Sequence, residues 1–174
     1  TYAVTYRLAD SVPEAVLGQW REERDRIARL EAAGAPVRDR VLAQQAFSDT
    51  VERFLDQGAG ACLLAHDRCQ QIVKESLAHF DGERYDLLAY AVMPNHVHVV
   101  VRPREGFALP DVLHTWKSFT SKEINRALDR TGEVWQQEYY DHLIRDEKDL
   151  DRQIEYVLAN PERAGGRGVA GLGR

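Results

Sequence analysis

The stretch from Met93 to Val101 places the strongest constraint on how this chain folds. It reads Met-Pro-Asn-His-Val-His-Val-Val-Val, so a Pro-Asn turn is followed by a run rich in β-branched residues. This composition favours a strand that begins directly after a tight turn. Because side chains alternate between the faces of a strand, His96 and His98 must point to the same side. Two neighbouring imidazoles on a rigid strand are half of a metal site, although a solvated strand face is the other interpretation.

Periodicity in the rest of the chain predicts an α+β domain. Strand-like segments occupy residues 2–8, 85–93, 96–102 and 139–144, and the second and third of these form a β-hairpin around Pro94-Asn95. Apolar residues at helical spacing predict helices over residues 14–34, 37–57, 62–80, 109–128 and 148–160. The order of strand, helices, hairpin, helix, strand and helix predicts an antiparallel sheet with helices on one face.

The length and composition fit one globular domain over residues 1–174. Hydrophobic residues make up 44% of the 174 residues and charged residues 29%. We expect a helical insertion at about 14–60 and a flexible Gly-rich tail at about 165–174. The apolar runs are too short for a membrane helix. Cys62 and Cys69 would lie about 10 Å apart along a helix, beyond disulfide reach, which favours a reducing, cytoplasmic setting.

The last predicted helix carries a second pair of polar residues. Tyr156 and Asn160 are four residues apart, so they share one helical face. A tyrosine hydroxyl beside an amide oxygen would place a nucleophile next to a third metal ligand. Taken alone, a half-buried aromatic residue and a polar residue at the end of a helix explain the two positions equally well.

Four motifs in this order resemble one family. They are Met93-Pro-Asn-His-Val-His98, the segment from Trp116 to Arg126, the segment from Val134 to Arg145, and Tyr156-Val-Leu-Ala-Asn-Pro161. Together they resemble the REP-associated tyrosine transposases, which are relatives of the single-strand insertion-sequence transposases and belong to the HUH endonucleases. Four ordered motifs are far more specific than any one of them.

The resemblance implies a fold, a site and a reaction. The fold would be a ferredoxin-like antiparallel sheet. His96 and His98 would be metal ligands, Asn160 the third ligand and Tyr156 the nucleophile, with Mg²⁺ or Mn²⁺ as the divalent cation. The expected activity is that of a metal-dependent single-stranded DNA endonuclease and strand transferase. It would form a 5′-phosphotyrosyl intermediate on single-stranded or hairpin DNA. The family includes monomers and homodimers, and the spacing does not decide between them.

This sequence departs from the family pattern in three places. The relatives that cut REP hairpins carry a Gly-Thr-Trp-Phe signature on the first strand, where this chain has Thr1-Tyr-Ala-Val4. The segment at 14–60 is longer than the family pattern predicts. The usual apolar, Trp-containing continuation after Asn160-Pro161 is replaced by the Gly-rich end. Substrate choice is expected to differ for these reasons.

Several basic residues are candidates for phosphate contacts: Lys117, Lys122, Arg126, Arg145 and Arg152. A solvated helix surface explains them about as well, because acidic residues lie between them. The net charge of −5 argues against a protein that coats nucleic acid non-specifically. Tyr140 is the rival nucleophile, but Ile144 stands where the amide ligand would be needed.

Two other functions stay open at this point. A catalytically idle DNA-binding or regulatory protein would keep the fold and bind DNA without cutting it. A metal-dependent phosphodiester hydrolase would use water as the nucleophile, and Tyr156 would then be incidental.

Overall fold

A computed structural model describes residues 1–173 of the chain. Their strands are β1 (Tyr2–Leu8), β2 (Tyr85–Val92), β3 (His96–Pro103), β4 (Trp135–Leu143) and β5 (Val169–Leu172). Their α-helices are α1 (Glu14–Ala32), α2 (Val37–Leu55), α3 (Asp67–His79), α4 (Leu109–Ala127) and α5 (Glu147–Arg163). The strands form one antiparallel sheet in the order β4-β1-β3-β2-β5. The predicted α+β antiparallel fold is confirmed, and the histidine strand β3 is its centre.

The two faces of β3 serve different layers. Val97, Val99 and Val101 belong to the main core, which is filled by apolar residues of α3 and α4. His96 and His98 lie on the opposite face, as strand alternation predicts. Helix α5 packs on that second face. The apolar cluster of α1 and α2 contacts the same face through the side chain of Tyr140. The sheet is therefore covered on both sides, whereas the sequence predicted helices on one face only.

A bulge in β2 prepares the second face for α5. Leu87 pairs with Val101, but Ala89 pairs with Val100, so the register shifts between these two positions. Such a shift reverses the faces to which the following side chains point. Leu87 consequently belongs to the main core, whereas Ala89 lies in the cluster beneath α5. Its short side chain lets the helix approach the sheet closely.

The prediction of a flexible tail is wrong for Val169–Leu172, which form the edge strand β5 on β2. Gly171 explains why the strand fits there, since a Cβ atom at this position would lie 2.8 Å from the hydroxyl of Tyr90. The glycines therefore shape the chain for close pairing with β2. Residue 174 lies outside the described residues.

The helix predicted at 62–80 begins later than expected. Cys62 has a left-handed backbone with φ of 49°, and a short 3₁₀ turn at Leu63–Ala65 precedes an extended His66. Both cysteines are free thiols, as expected from their spacing. Within residues 1–173, none of the helices combines the length and apolar character that crossing a bilayer requires.

Candidate metal and tyrosine site

The two histidines of β3 meet inside the protein. His96 is 1% exposed and His98 is 3% exposed, and their Nε2 atoms are 2.9 Å apart. The rings are nearly perpendicular, with an interplanar angle of 86°. The separation is that of a hydrogen bond between the rings, so one Nε2 atom donates to the other and both nitrogens face a common point.

Asn95 fixes the orientation of His96. The Nδ2 group of Asn95 donates hydrogen bonds to the carbonyl oxygens of Leu55 (3.2 Å) and Ala59 (3.1 Å). Its Oδ1 must then face Nδ1 of His96, which lies 2.7 Å away. Since an amide oxygen only accepts, Nδ1 of His96 carries the hydrogen and Nε2 has a free lone pair. The end of α2 thus sets the tautomer of the first candidate ligand.

Thr5 gives His98 a more adaptable partner. The threonine hydroxyl lies 2.8 Å from Nδ1 of His98 across the β1–β3 pair. Because Nε2 of His96 accepts, Nε2 of His98 donates the bond between the rings and Nδ1 accepts from Thr5. A hydroxyl both donates and accepts, so Thr5 also supports the other tautomer, in which Nε2 of His98 is free.

Burial keeps both imidazoles neutral. It lowers the pKa of His96 well below the ordinary 6.5, and the neighbouring His98 adds to this effect. Burial, followed by the charge of Arg163, lowers the pKa of His98 to about 4. At neutral pH both rings are consequently available as neutral nitrogen ligands.

Acidification should destabilise the metal-free protein through this pair. Below pH 6.5 the unfolded chain takes up a proton on His98, whereas the folded chain resists protonation until about pH 4. Stability is therefore present above pH 6.5 and is lost as the pH falls, by up to about 3 kcal/mol from this residue. Denaturant unfolding in EDTA at several pH values measures the slope. The slope should be smaller in His98→Gln, and an equal slope in both proteins would contradict the assignment.

Tyr156 lies beside this pair. Its ring centroid is 5.8 Å from that of His98, at an interplanar angle of 86°. The guanidinium carbon of Arg163 lies 4.8 Å from the centroid of the Tyr156 ring. Helix α5 carries both residues, and seven positions separate them, which is about two helical turns. The structure therefore brings the predicted nucleophile and the predicted ligands together in one chain.

A carboxyl group from α2 completes the surroundings of Tyr156. Glu52 lies near enough to Tyr156 for each of the two groups to shift the pKa of the other. Burial raises the pKa of Tyr156 above its ordinary value, and the negative charge of Glu52 adds to the shift. Burial likewise raises the pKa of Glu52, to about 7, although the nearby Tyr156 and the charge of Arg163 oppose the rise.

Asn160 lies one turn after Tyr156 on α5. It is 2% exposed, and its Oδ1 atom is buried with no hydrogen-bond partner among residues 1–173. A buried amide oxygen without a partner costs free energy unless something binds it. The described residues contain no cluster of three or more His, Cys, Asp or Glu side chains that could hold a metal. The amide oxygen of Asn160 is therefore a candidate for a further ligand, which stays a prediction.

The predicted phosphate-contacting residues lie elsewhere. Lys117 donates hydrogen bonds to the carbonyl oxygens of Gln136 and Gln137, both at 3.0 Å. Its ammonium group thus links α4 to β4. Lys122 is exposed, and Arg126 pairs with Glu123. These three are on α4, across the sheet from the histidines. Arg145 is exposed, and Arg152 forms an ion pair with Asp149. Their contact with DNA stays a prediction.

The competing candidates occupy structural positions. Tyr140 packs edge-on against Trp20 (5.8 Å) and Phe47 (5.6 Å) in the α1–α2 cluster. Nε2 of His142 lies 2.8 Å from Oδ2 of Asp149, where it joins β4 to the start of α5. His114 is exposed on α4.

Sequence reasoning missed four residues of this site: Thr5, Glu52, Asn95 and Arg163. Arg163 had a usable signal, because its spacing from Tyr156 places both on one face of a helix. Asn95 was interpreted as a turn residue. Its place directly before His96 in the sequence was the available clue. Nothing in the local sequence of Thr5 or Glu52 indicates which element each would meet.

Removing the amide of Asn95 should weaken the fold as well as the site. Asn95→Ala would leave the carbonyls of Leu55 and Ala59 and Nδ1 of His96 without their buried partner. We expect the free energy of unfolding to fall by about 3 kcal/mol, measured by urea denaturation. Asn125→Ala, which removes one amide bond to Gly132 at a partly exposed position, is the matched control. A loss in Asn95→Ala no larger than the control's would contradict this role.

Comparison with known proteins gives a consistent picture. The chain is 25% identical over 96 residues to the REP-associated tyrosine transposase of Escherichia coli, covering 55% of this chain and 56% of that protein. It is 28% identical over 103 residues to a Haemophilus influenzae protein provisionally given the same name, covering 53% and 56%. The chain thus matches little more than half the length of these relatives.

The fold has a solved counterpart in a REP-associated tyrosine transposase bound to a REP hairpin. That structure aligns with 95% of this chain and 68% of its own, with a TM-score of 0.51 and 16% identity, which shows a shared fold. The family model described as "Transposase IS200 like" matches residues 64–160, more than half of the chain. The matched segment contains the histidine pair, Tyr156 and Asn160, and the chain belongs to this transposase family.

Proposed function

We propose that the protein is a metal-dependent single-stranded DNA endonuclease and strand transferase that acts through Tyr156. The observation that supports this most strongly is the position of the Tyr156 ring beside the converging imidazoles of His96 and His98. A phenol next to two neutral nitrogen ligands can bring a nucleophile and a divalent cation to the same phosphodiester.

His96, His98 and Asn160 are the residues that would hold a divalent cation. Two neighbouring ligands of an octahedral ion at about 2.1 Å are about 3.0 Å apart, close to the 2.9 Å between the Nε2 atoms. The unpartnered Oδ1 of Asn160 suits a hard cation as a further ligand. When bound, Mg²⁺ or Mn²⁺ would neutralise charge that develops on the phosphoryl oxygens.

The protein's own residues would account for the covalent step. The oxygen of Tyr156 attacks phosphorus, the bond from phosphorus to the 3′ oxygen breaks, and a 5′-phosphotyrosyl link forms. The departing 3′ oxygen takes up one proton, and the phenol gives up one. A new 3′-OH can then reverse the step and rejoin strands without an external energy source, because the phosphotyrosyl link keeps the energy of the ester.

The substrate class is proposed to be single-stranded DNA beside a hairpin. The structural relative is described as bound to a REP hairpin, which supports hairpin DNA as the first substrate to test. Thr1-Tyr-Ala-Val4 differs from the first-strand signature of the hairpin-cutting relatives, so the target sequence should differ too.

Covalent capture tests the proposal directly. The protein is incubated with a randomised library of labelled hairpin oligonucleotides that carry unpaired flanks, with Mn²⁺ or with EDTA. We expect a protein–DNA adduct and a free 3′-OH fragment in Mn²⁺ only. Binding without nicking would instead favour a DNA-binding regulator, to which the net charge and the altered first strand lend some support. Multiple-turnover cleavage without an adduct would favour a hydrolase.

A further inference from the structure

Arg7 on β1 is a buried cation whose guanidinium group finds few partners in the protein. Its side chain is 1% exposed, and neither Nη1 nor Nη2 makes a hydrogen bond within residues 1–173. Oε2 of Glu138 lies 3.8 Å from Nη2, which is too long for a hydrogen bond, and Oε1 of the same carboxylate accepts from Nε of Arg21 at 3.0 Å. A buried charge that lacks hydrogen bonds costs free energy, so Arg7 is retained at a cost to stability.

Arg7 lies next to the candidate site. It is directly opposite His96 in the β1–β3 pairing, as Thr5 is opposite His98. Because residues opposite each other on paired strands share a face, the side chain of Arg7 lies on the imidazole face, one strand away at ~4.8 Å. A DNA strand with one phosphate at the imidazoles would therefore have a neighbouring phosphate within reach of this guanidinium group.

We propose, on the basis of the DNA-cleaving function proposed above, that Arg7 binds a backbone phosphate of the DNA strand beside the one that Tyr156 attacks. A guanidinium group offers N–H donors in a planar fork that matches the oxygens of a phosphate. The phosphate would supply the acceptors that Nη1 and Nη2 lack in the DNA-free protein. Arg7 would thus position the strand and take no part in the covalent step.

Helices α1 and α2 with the turn between them, the α1–α2 pair, cover Arg7 in the DNA-free protein. The guanidinium carbon of Arg7 lies 5.6 Å from the ring centroid of Trp20 on α1 and 5.0 Å from that of Tyr140 on β4. The ion pair from Arg21 to Glu138 joins α1 to β4 at a partly exposed position, where such pairs contribute little to stability. DNA binding to Arg7 requires α1 to move away from β4.

The base of the α1–α2 pair offers a pivot for this movement. Asn95 holds two carbonyl groups at the end of α2, and the backbone N–H of Ala61 donates to Oδ2 of Asp10 at 2.8 Å. The second bond joins the connections that lead into and out of the pair. Gly60 has a φ of 88°, and a Cβ atom there would lie 2.7 Å from the carbonyl oxygen of Asp10. The apolar residues of the pair form their own cluster, to which the sheet contributes Tyr140. We therefore expect the pair to move as a unit about this base.

A purely structural role for Arg7 predicts a different result. Its guanidinium group could serve only to join the sheet to the α1–α2 pair through Trp20 and Glu138. Replacement by an apolar side chain would then weaken the fold and leave the DNA affinity of the folded molecules unchanged. If Arg7 binds phosphate, the same replacement weakens DNA binding, whereas the fold keeps or gains stability because a poorly satisfied buried charge is removed.

The test is DNA binding in EDTA, measured by fluorescence anisotropy on a labelled hairpin oligonucleotide selected from the library by its binding to the wild type. Arg7→Met should raise Kd about 10-fold or more and reduce the salt dependence of log Kd on log salt concentration by about 0.7. Its urea midpoint should equal or exceed that of the wild type. Arg29→Met, which removes the same charge from an exposed position of α1, is the control and should keep the wild-type Kd.

Neutral methylphosphonate linkages, placed one at a time in the unpaired flank, locate the contact. At one position the replacement should weaken binding by the wild type about 10-fold and leave Arg7→Met unaffected, because the two changes remove the same interaction. Equal responses of the two proteins at every position would contradict a direct contact.

Trp20 reports on the cover without any change to Arg7. Its side chain is 5% exposed, and the signal of the two other tryptophans is subtracted with Trp20→Phe. Acrylamide quenching of Trp20 in the wild type should rise when the oligonucleotide binds. This measurement also decides the matter if Arg7→Met fails to fold, since quenching that does not rise would overturn the inference.

Failure of this inference is distinguishable from failure of the proposed function. A change in Kd of less than about 3-fold in folded Arg7→Met would overturn the role of Arg7. Adduct formation by the wild type in Mn²⁺ would meanwhile leave the proposed function intact. A wild type that binds no member of the library would remove both.

Discussion

Replacing Tyr156 with Phe should abolish covalent adducts on oligonucleotides, a loss of about 10³-fold or more in single-turnover rate. The substitution removes the oxygen that is proposed to bond to phosphorus and leaves the ring beside His98 and Arg163 in place. The measurement is denaturing gel electrophoresis of labelled DNA after incubation with the protein in Mn²⁺.

DNA affinity and stability control for damage elsewhere. Phe differs from Tyr by one hydroxyl group, so we expect a change in unfolding free energy within about 1 kcal/mol and an unchanged Kd for the oligonucleotide. Tyr140→Phe is the matched control, because Tyr140 packs in the α1–α2 cluster, and it should keep full adduct formation. Adducts that persist in Tyr156→Phe would show that the nucleophile assignment is wrong.

His96→Gln should remove both metal binding and adduct formation. Gln is a polar residue of similar length, but it cannot supply an imidazole lone pair at the position of Nε2. At a metal concentration about 100 times Kd, binding should stabilise the wild type by about 2.7 kcal/mol, and the variant should gain nothing. Thermal unfolding with and without Mn²⁺ measures this difference without DNA.

His114→Gln serves as the control for the loss of a histidine, since His114 is exposed on α4. It should retain the full Mn²⁺ stabilisation and the wild-type rate. Mn²⁺ stabilisation of His96→Gln equal to that of the wild type would mean that the metal binds elsewhere. Loss of the stabilisation together with full adduct formation would separate the metal from the reaction.

The elements with strong local signals were predictable from the sequence. The alternation of His96 and His98 with valines specified a strand and the shared direction of the imidazoles. The spacing of Tyr156 and Asn160 specified one helical face. The order of strands and helices predicted the antiparallel sheet, and the order of motifs led to the family. Each of these inferences depends on residues close together in the chain.

The features that were missed depend on how distant elements dock. Glu52 is an ordinary polar position of an amphipathic helix, and its influence on the pKa of Tyr156 depends on where α2 lies in the fold. The β2 bulge, which turns Ala89 toward α5, has no clear signature in a run of apolar residues. Val169–Leu172 lie among glycines, which indicate a loop unless the adjacent edge of β2 is known to be open. Lys117 reads as a surface cation and is instead bonded to the backbone of β4.

Helix α5 is anchored to the sheet at both ends. At its start, Asp149 bonds His142 of β4, and after its end β5 pairs with β2 along four residues from Val169↔Val92 to Leu172↔Ala89. Exchange of α5 with a second copy of the chain would require the edge strand β5 to separate from β2. Cutting should consequently proceed in cis, with phenol and imidazoles supplied by the same molecule, so the rate per molecule should not depend on protein concentration.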